Sequence, residues 1–261
     1  MVRRRGRLDL TLLTTVLAIT AAAFGGCEKA HQRIEPAQLD LPSGQFAGKP
    51  PRAVLILIHG AGWTGLSRAA YRSEAATAPL FTRLGYATMT IDYSPGAAGV
   101  RDVGRYYAVA RRRFGPRTPI CAVGTSAGGH LALMLAVRQP DLACVISLAG
   151  PTDLVALDSE PGGGVAAGLA RQAFGATRLA DVSPARYAGA IRARVMLVYA
   201  AGDPIVPVAQ GYAMARADRR AQLIVLPPGQ ANFIHSKVDR TAVERAEAQE
   251  LTFLSQAAGR R

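Results

Sequence analysis

The sequence predicts an α/β protein with a mostly parallel central sheet and helices on both faces. Three observations carry that expectation. Short apolar runs alternate along the chain with longer segments of helical character, as strands and crossover helices do in a parallel sheet. The runs are continuous rather than alternating in polarity, as in strands buried on both faces. The chain has 261 residues, 49% of them hydrophobic and 19% charged, which suffices for one large core and excludes a disordered protein.

Strands are expected over 53–58, 86–91, 120–123, 143–148, 195–200 and 222–226. Helices are expected over 67–84, 101–114, 127–138, 207–218 and 239–257. The least regular stretch, 151–190, contains Gly162-Gly163-Gly164 and Ser183-Pro184 and reads as a small lid within a domain spanning 51–261. Residues 28–50 are polar and proline-containing, and read as a tether. Ahead of them, residues 1–27 read as a signal peptide: Arg3, Arg4, Arg5 and Arg7 precede an apolar stretch from Leu10 to Phe24 that is short for a bilayer span. Phe24-Gly25-Gly26-Cys27 resembles a bacterial lipobox, which implies lipidation at Cys27 and attachment to the cell envelope. Ordinary cleavage, giving a soluble exported protein, is the alternative.

Gly124-Thr125-Ser126-Ala127-Gly128 sits between a predicted strand and a predicted helix. Small flanking residues let strand and helix approach closely around a tight turn, which exposes the serine at the top of the sheet as a nucleophile. A serine hydroxyl needs a base, and the base needs an acid to orient it, in the chain order serine, acid, histidine. Asp203 follows the strand at 195–200, and His235 is the only histidine after it. Asp153 is the fallback acid. Upstream, His59-Gly60-Ala61-Gly62-Trp63 follows the first core strand, and its backbone N–H groups suit a developing oxyanion. The oxyanion donors expected are Ala61, Gly62 and Ala127. His59 and Asp92 read as loop-ordering residues, and Trp63, Tyr93 and Phe233 as candidates to line a substrate pocket.

These motifs, with Gly150-Pro151-Thr152-Asp153-Leu154 and Gly202-Asp203-Pro204-Ile205-Val206-Pro207, resemble the α/β-hydrolase superfamily over roughly residues 50–261. The nearest likeness is to esterases and lipases with an HGGxW-like oxyanion motif, of the feruloyl-esterase-like and kynurenine-formamidase-like kinds. The resemblance implies an exported serine hydrolase that cleaves carboxylic esters through an acyl-enzyme on Ser126, without cofactor or metal. It also exposes a departure, because Asn232 stands where the family usually has its histidine and His235 comes three residues later. Two other readings fit the same residues: a catalytically silent hydrolase fold serving as an envelope or binding protein, and an acyltransferase using the same acyl-enzyme.

Partners follow from the same reading: a small-molecule ester, and a membrane through Cys27. The net charge of +13 comes mostly from arginines dispersed along the chain, with no basic block interleaved with aromatics, so nucleic acid is not an expected partner. Attraction to anionic lipid headgroups stays open. Cys121 and Cys144 fall in predicted core strands and are expected to be free thiols. The sequence leaves the substrate's acyl and alcohol groups and the oligomeric state undetermined.

Overall fold

The apolar runs pair into a seven-stranded sheet in the computed structural model, which describes residues 37–65, 67–159 and 164–259. The signal segment and Cys27 lie outside the described residues. The strands are β1 (Gln38–Asp40), β2 (Val54–Ile58), β3 (Ala87–Ile91), β4 (Ile120–Thr125), β5 (Cys144–Leu148), β6 (Arg194–Ala200) and β7 (Gln222–Leu226), in spatial order β1-β3-β2-β4-β5-β6-β7. All neighbours are parallel except β1, which runs antiparallel to β3 at the edge. The expected α/β class is therefore observed. The segment expected to be tether contributes β1, so the domain begins before residue 51.

Eight helices are described: α1 (Arg68–Ala75), α2 (Ala78–Thr82), α3 (Ala97–Phe114), α4 (Ala127–Arg138), α5 (Leu154–Ser159), α6 (Gly164–Phe174), α7 (Ala209–Ala217) and α8 (Arg240–Ala258). The single helix expected over 67–84 is two. Pro79 has no N–H to continue the ladder, and its ring would crowd the carbonyl one turn back, so the chain breaks after α1. Thr77 closes that break by donating its hydroxyl to Glu74 O at 2.7 Å. Residues α3 to α7 cover one sheet face with a core that includes Ile56, Ala122, Leu131 and Leu197. Helices α2 and α8 cover the other, over Leu57, Val123, Ile146 and Val198. The expected lid segment holds α5, α6 and two 3-10 turns, Leu179–Val182 and Pro184–Ala190.

Cys121 and Cys144 are joined in a disulfide, which corrects the expectation of free thiols. They are register partners on the adjacent parallel strands β4 and β5. Matched register sends both side chains to the same sheet face, with the Cα atoms 4.6 Å apart, within disulfide reach. Closing this loop constrains the unfolded chain by about 3 kcal/mol on the chain-entropy account.

Helix α8 carries an anomaly on its buried stripe. Val243, Ala246, Phe253, Leu254 and Ala257 face the sheet, and Glu247 and Glu250 share that face at 4% and 9% exposure. Both oxygens of Glu247 and Oε1 of Glu250 lack a hydrogen-bond partner. Burial pushes Glu247 up to about 7, helped by the nearby Glu244, and Glu250 up to about 8, helped by Glu247.

The pair makes the fold sensitive to alkali. In the unfolded chain both carboxyls ionise near 4.5, whereas in the folded chain they hold protons to about 7 and about 8, so the unfolded state binds fewer protons across this interval. The pair's own contribution to stability is therefore lost as pH rises from about 5 to about 8. E247Q/E250Q flattens that slope in pH-resolved melting curves, and an unchanged slope in the double variant would contradict the assignment.

Candidate active site

The turn from β4 into α4 is tightly crowded. Ser126 has φ 54° and ψ −120°, a left-handed conformation costing a non-glycine residue on the order of 1–3 kcal/mol. It is held there by Ser126 N donating to Leu148 O at 2.7 Å and His130 N donating to Ser126 O at 3.1 Å. The two glycines around it are sterically required. A β-carbon on Gly124 would overlap the Gly128 carbonyl, and one on Gly128 would overlap the carbonyls of Ile58 and His59. The chain leaves β2 toward β3 on one side and reaches β4 on the other, so Ser126 and the loop after β2 meet at the sheet's switch point, where open α/β folds bind ligands.

The loop after β2 lies against the serine: a β-carbon on Gly60 would come within 3.4 Å of Ser126 Cβ. Ala61, Gly62 and Trp63 have φ of 77°, 60° and 57°, within a turn, and a turn that brings successive backbone N–H groups together makes an anion-binding concavity. Among the described residues, no hydrogen bond engages the N–H groups of Ala61, Gly62 or Ala127. The last of these is a first-turn amide of α4, for which the helix has no acceptor.

Buried polar groups hold this loop in place. His59 Nε2 meets Asp92 Oδ1 at 2.9 Å, and its ring stacks on Tyr93. The Tyr93 hydroxyl donates to the carbonyls of His59 and Gly60, at 3.0 and 2.6 Å. Trp63 Nε1 donates to His130 Nδ1 at 2.9 Å, so His130 carries its proton on Nε2 and donates it to Val182 O at 2.6 Å. Burial drives the His130 imidazole down to about 4, which keeps Nδ1 free to accept. Trp63, His130 and Val182 thus tie the loop, the nucleophile helix and the lid together.

Trp63, Tyr93 and Phe233 were expected to line a substrate pocket, and here the structure differs. They are 2%, 0% and 0% exposed, and support the site from behind. Trp63 and Tyr93 pin the loop through their polar ends. Phe233 packs into the core beneath α8 with Val238 and Val243.

Asp203 and His235 come together. Asp203 Oδ1 accepts from the N–H groups of Ile205 and Val206 at 2.8 and 2.9 Å, which fixes the carboxylate and turns Oδ2 to His235 Nδ1 at 3.0 Å. With its Nδ1 proton given to Asp203, His235 presents Nε2 as the acceptor. Among the described residues no hydrogen bond joins Ser126 Oγ to His235, and such contacts are often long before substrate binds. Asp153 is engaged elsewhere, accepting from Val155 N and Ala156 N at the start of α5 and pairing with Arg186.

The hairpin that carries His235 is absent from the elements expected of the sequence. After β7 the chain forms β8 (Pro228–Phe233) and β9 (Ser236–Val238), with Phe233 opposite Ser236. Ile234 and His235 are its two corner residues, and Ile234 takes φ 46°. Asn232, at the position the resemblance reserves for histidine, lies in β8 and accepts from Lys237 Nζ, so it belongs to the hairpin ladder.

Sequence reasoning also missed Glu74. This half-buried side chain of α1 hydrogen-bonds Thr125, the residue before the nucleophile, and burial pushes its carboxyl up to about 8 against the opposing effect of that bond. Its residue type and helical setting carried no signal.

Comparison with known proteins places this geometry in context. The BD-FAE family profile matches residues 39–217. No curated protein matches the sequence. Among solved structures, a puromycin hydrolase superposes with a TM-score of 0.70 at 20% identity, covering 85% of this chain and 37% of its own. This chain therefore spans little more than a third of that protein. The acetyl ester-xyloside bifunctional hydrolase of Caldicellulosiruptor lactoaceticus gives 0.64 at 15%, covering 83% and 87%. A truncated carbohydrate esterase from gut microbiota gives 0.61 at 16%, covering 88% and 98%. These likenesses are of fold.

Trp63 is the only tryptophan, so its emission reports on the loop directly. The unfolded chain takes up the His130 proton near 6.5 and the folded one only near 4, so stability falls as pH drops through that interval, by about 3 kcal/mol from this group. Below about pH 4 the Trp63 bond loses its acceptor, and the emission shifts to the red. W63F shortens the buried ring and orphans Nδ1, and the lost bond alone carries an expected cost of about 1–3 kcal/mol in denaturant titration, to which the cavity adds. A W63F protein as stable as wild type would refute this role.

Proposed function

This chain belongs to the BD-FAE family of α/β-hydrolases, and on that footing we propose that it is an exported serine hydrolase cleaving carboxylic esters. The Asp203–His235 pair at 3.0 Å carries the proposal. A histidine whose Nδ1 is held by a fixed carboxylate, presented with the elbow serine at the same end of a parallel sheet, is the arrangement that activates a hydroxyl. It favours a working enzyme over a silent fold, because the histidine displaced in sequence still finds its acid.

In this reading, Ser126 Oγ attacks the ester carbonyl carbon while His235 Nε2 takes its proton. Negative charge develops on the former carbonyl oxygen and is met by the N–H groups of Ala61, Gly62 and Ala127. The tetrahedral species collapses, His235 returns the proton to the departing alcohol, and an acyl group remains on Ser126. Water, deprotonated by His235, then attacks the acyl carbon, the bond to Ser126 Oγ breaks, and His235 returns the proton to that oxygen as the acid leaves. Asp203 holds the imidazole in one tautomer and stabilises its charged form.

Export is supported by the signal-like residues 1–27 and by the Cys121–Cys144 disulfide, since such bonds persist mainly in oxidising compartments. Attachment through lipidated Cys27 belongs to the same proposal.

S126A and H235A each lower kcat for p-nitrophenyl acetate by about 10⁴-fold or more, and D203N by roughly 10⁴ through loss of the tautomer. A fluorophosphonate probe labels wild type and not S126A. Full activity in H235A would return the silent-fold or another mechanism to the front, and faster cleavage of an acyl-peptide than of any ester would move the activity to peptidase. Glu74 adds a pH signature. Its ionisation above about pH 8 places negative charge beside the elbow, where negative charge must also develop, so kcat/KM declines on the alkaline side. E74Q retains a hydrogen-bonding side chain and removes that decline, and an identical alkaline limb in E74Q would assign it to another group.

A further inference from the structure

The arginines dispersed along the sequence converge in space. Strands β2 to β7 are parallel, so the segments entering them all lie at the end of the sheet opposite Ser126, as do the C-termini of α3, α4 and α7. Those segments and last helical turns hold thirteen Lys and Arg residues, Lys49, Arg117, Arg192 and Arg219 among them in connecting loops. The same segments contain two acids, Asp141 and Asp218, and each is already paired, with Arg111 and Arg220.

The segments make one continuous surface. Arg52 N donates to Gly85 O, Val54 N to Pro119 O and Arg194 N to Ala143 O. Arg220 reaches Ile191 O at 2.6 Å, and Arg111 reaches Thr118 O at 2.8 Å. Arg112, Arg113, Arg117, Arg138, Arg192 and Arg219 are exposed.

A helix dipole favours cations at a helix C-terminus, which accounts for the last turns of α3, α4 and α7. It does not account for Lys49, Arg117, Arg192 or Arg219, which stand in connecting loops. We infer that this arginine-rich end is a docking surface for the anionic phospholipid headgroups of a membrane, which turns the Ser126 end away from the bilayer. Guanidinium forks match phosphate oxygens, and the excess of cations left once Asp141 and Asp218 are paired gives this end a field that an anionic surface satisfies. Leu41, 53% exposed, follows β1 at the same end and supplies an apolar contact. Only Tyr187 and Tyr212 are exposed aromatics among the described residues, too few for the run of stacking platforms that single-stranded nucleic acid uses.

The chain length allows the orientation. Cys27 precedes Ala37 by ten residues, an extended reach of about 35 Å, whereas α8, which runs from the Ser126 end to the arginine-rich end, is about 28 Å long. An anchor at Cys27 can therefore lie beyond the arginine-rich end. The inference is independent of the proposed reaction, since it concerns the opposite end and is read out by binding.

The test uses the full chain carrying C27A, so that no acyl chain contributes, and measures co-sedimentation with phosphatidylcholine vesicles with and without about 30% phosphatidylglycerol at about 0.1 M salt. Anionic vesicles bind more tightly than neutral ones, and the difference fades at about 0.5 M salt. R112E/R113E/R117E weakens anionic binding by at least about a hundredfold, since each arginine near such a surface contributes roughly fivefold and each glutamate adds repulsion. R101E/R240E/R245E makes the same change in net charge away from this end and leaves binding within about threefold. Circular dichroism and melting temperature check the fold, and R192E/R219E provides an independent pair on the same surface. Undiminished binding in both arginine-end variants, an equal loss in the control variant, or tighter binding to duplex DNA than to the anionic vesicles would each overturn the inference.

Discussion

Parallel alignment of β2 to β7 is the constraint on which the rest depends. Once these strands run the same way, every loop that follows a strand gathers at one end of the sheet and every loop that precedes one gathers at the other. Ser126, the loop from His59 to Trp63, Asp203 and the hairpin bearing His235 all follow strands, and they stand at one end of the sheet. The connecting cations precede strands, and they are kept apart from the chemistry by the full height of the sheet. Two properties that look unrelated in the sequence, a serine motif and dispersed arginines, are sorted by one topological fact.

Within the Ser126 end, steric crowding sets the geometry. The β4–α4 turn can lie against β2 only because Gly124 and Gly128 have no side chains, and this contact forces Ser126 into its left-handed conformation. Strain at one residue persists only where its neighbours over-determine it. Here they do so with buried polar bonds: Leu148 O on the Ser126 amide, Tyr93 and His59 on the adjacent loop, and Trp63 on His130. The aromatic residues near the site thus act as fasteners, and their polar ends are as important as their area.

The fold and the serine turn were legible in the sequence because both rest on local rules. Continuous apolar runs specify strands buried on two faces, and glycine spacing specifies a close approach. The errors have equally physical origins. Cys121 and Cys144 gave no sign of pairing, since register between β4 and β5 is a tertiary fact that places them face to face. Trp63, Tyr93 and Phe233 stood beside site loops, but burial depends on what packs over them. The hairpin was invisible for a sharper reason: two-residue turns announce themselves through Asn-Gly or Asp-Gly, and this one uses Ile234-His235. Glu74 was missed because its importance comes from Thr125, 51 positions along the chain.

That hairpin links the site to the far side of the domain. A β-branched residue at φ 46° is an unfavourable corner, and it keeps this conformation because Phe233 and Val238 are both buried on either side of it. Their burial is under α8, whose first turn is capped by Asp239, directly after β9, and whose start is tied to β7 by Asp239 N donating to Pro227 O. The position of His235 is therefore set by how well α8 seats on the sheet. Seating α8 requires Glu247 and Glu250 to enter an apolar layer, which they do at least cost when protonated. The carboxyls that must be buried for the helix to seat and the imidazole that it positions share one support, so protonation on the buried face of α8 and the alignment of His235 with Asp203 are parts of the same mechanical unit.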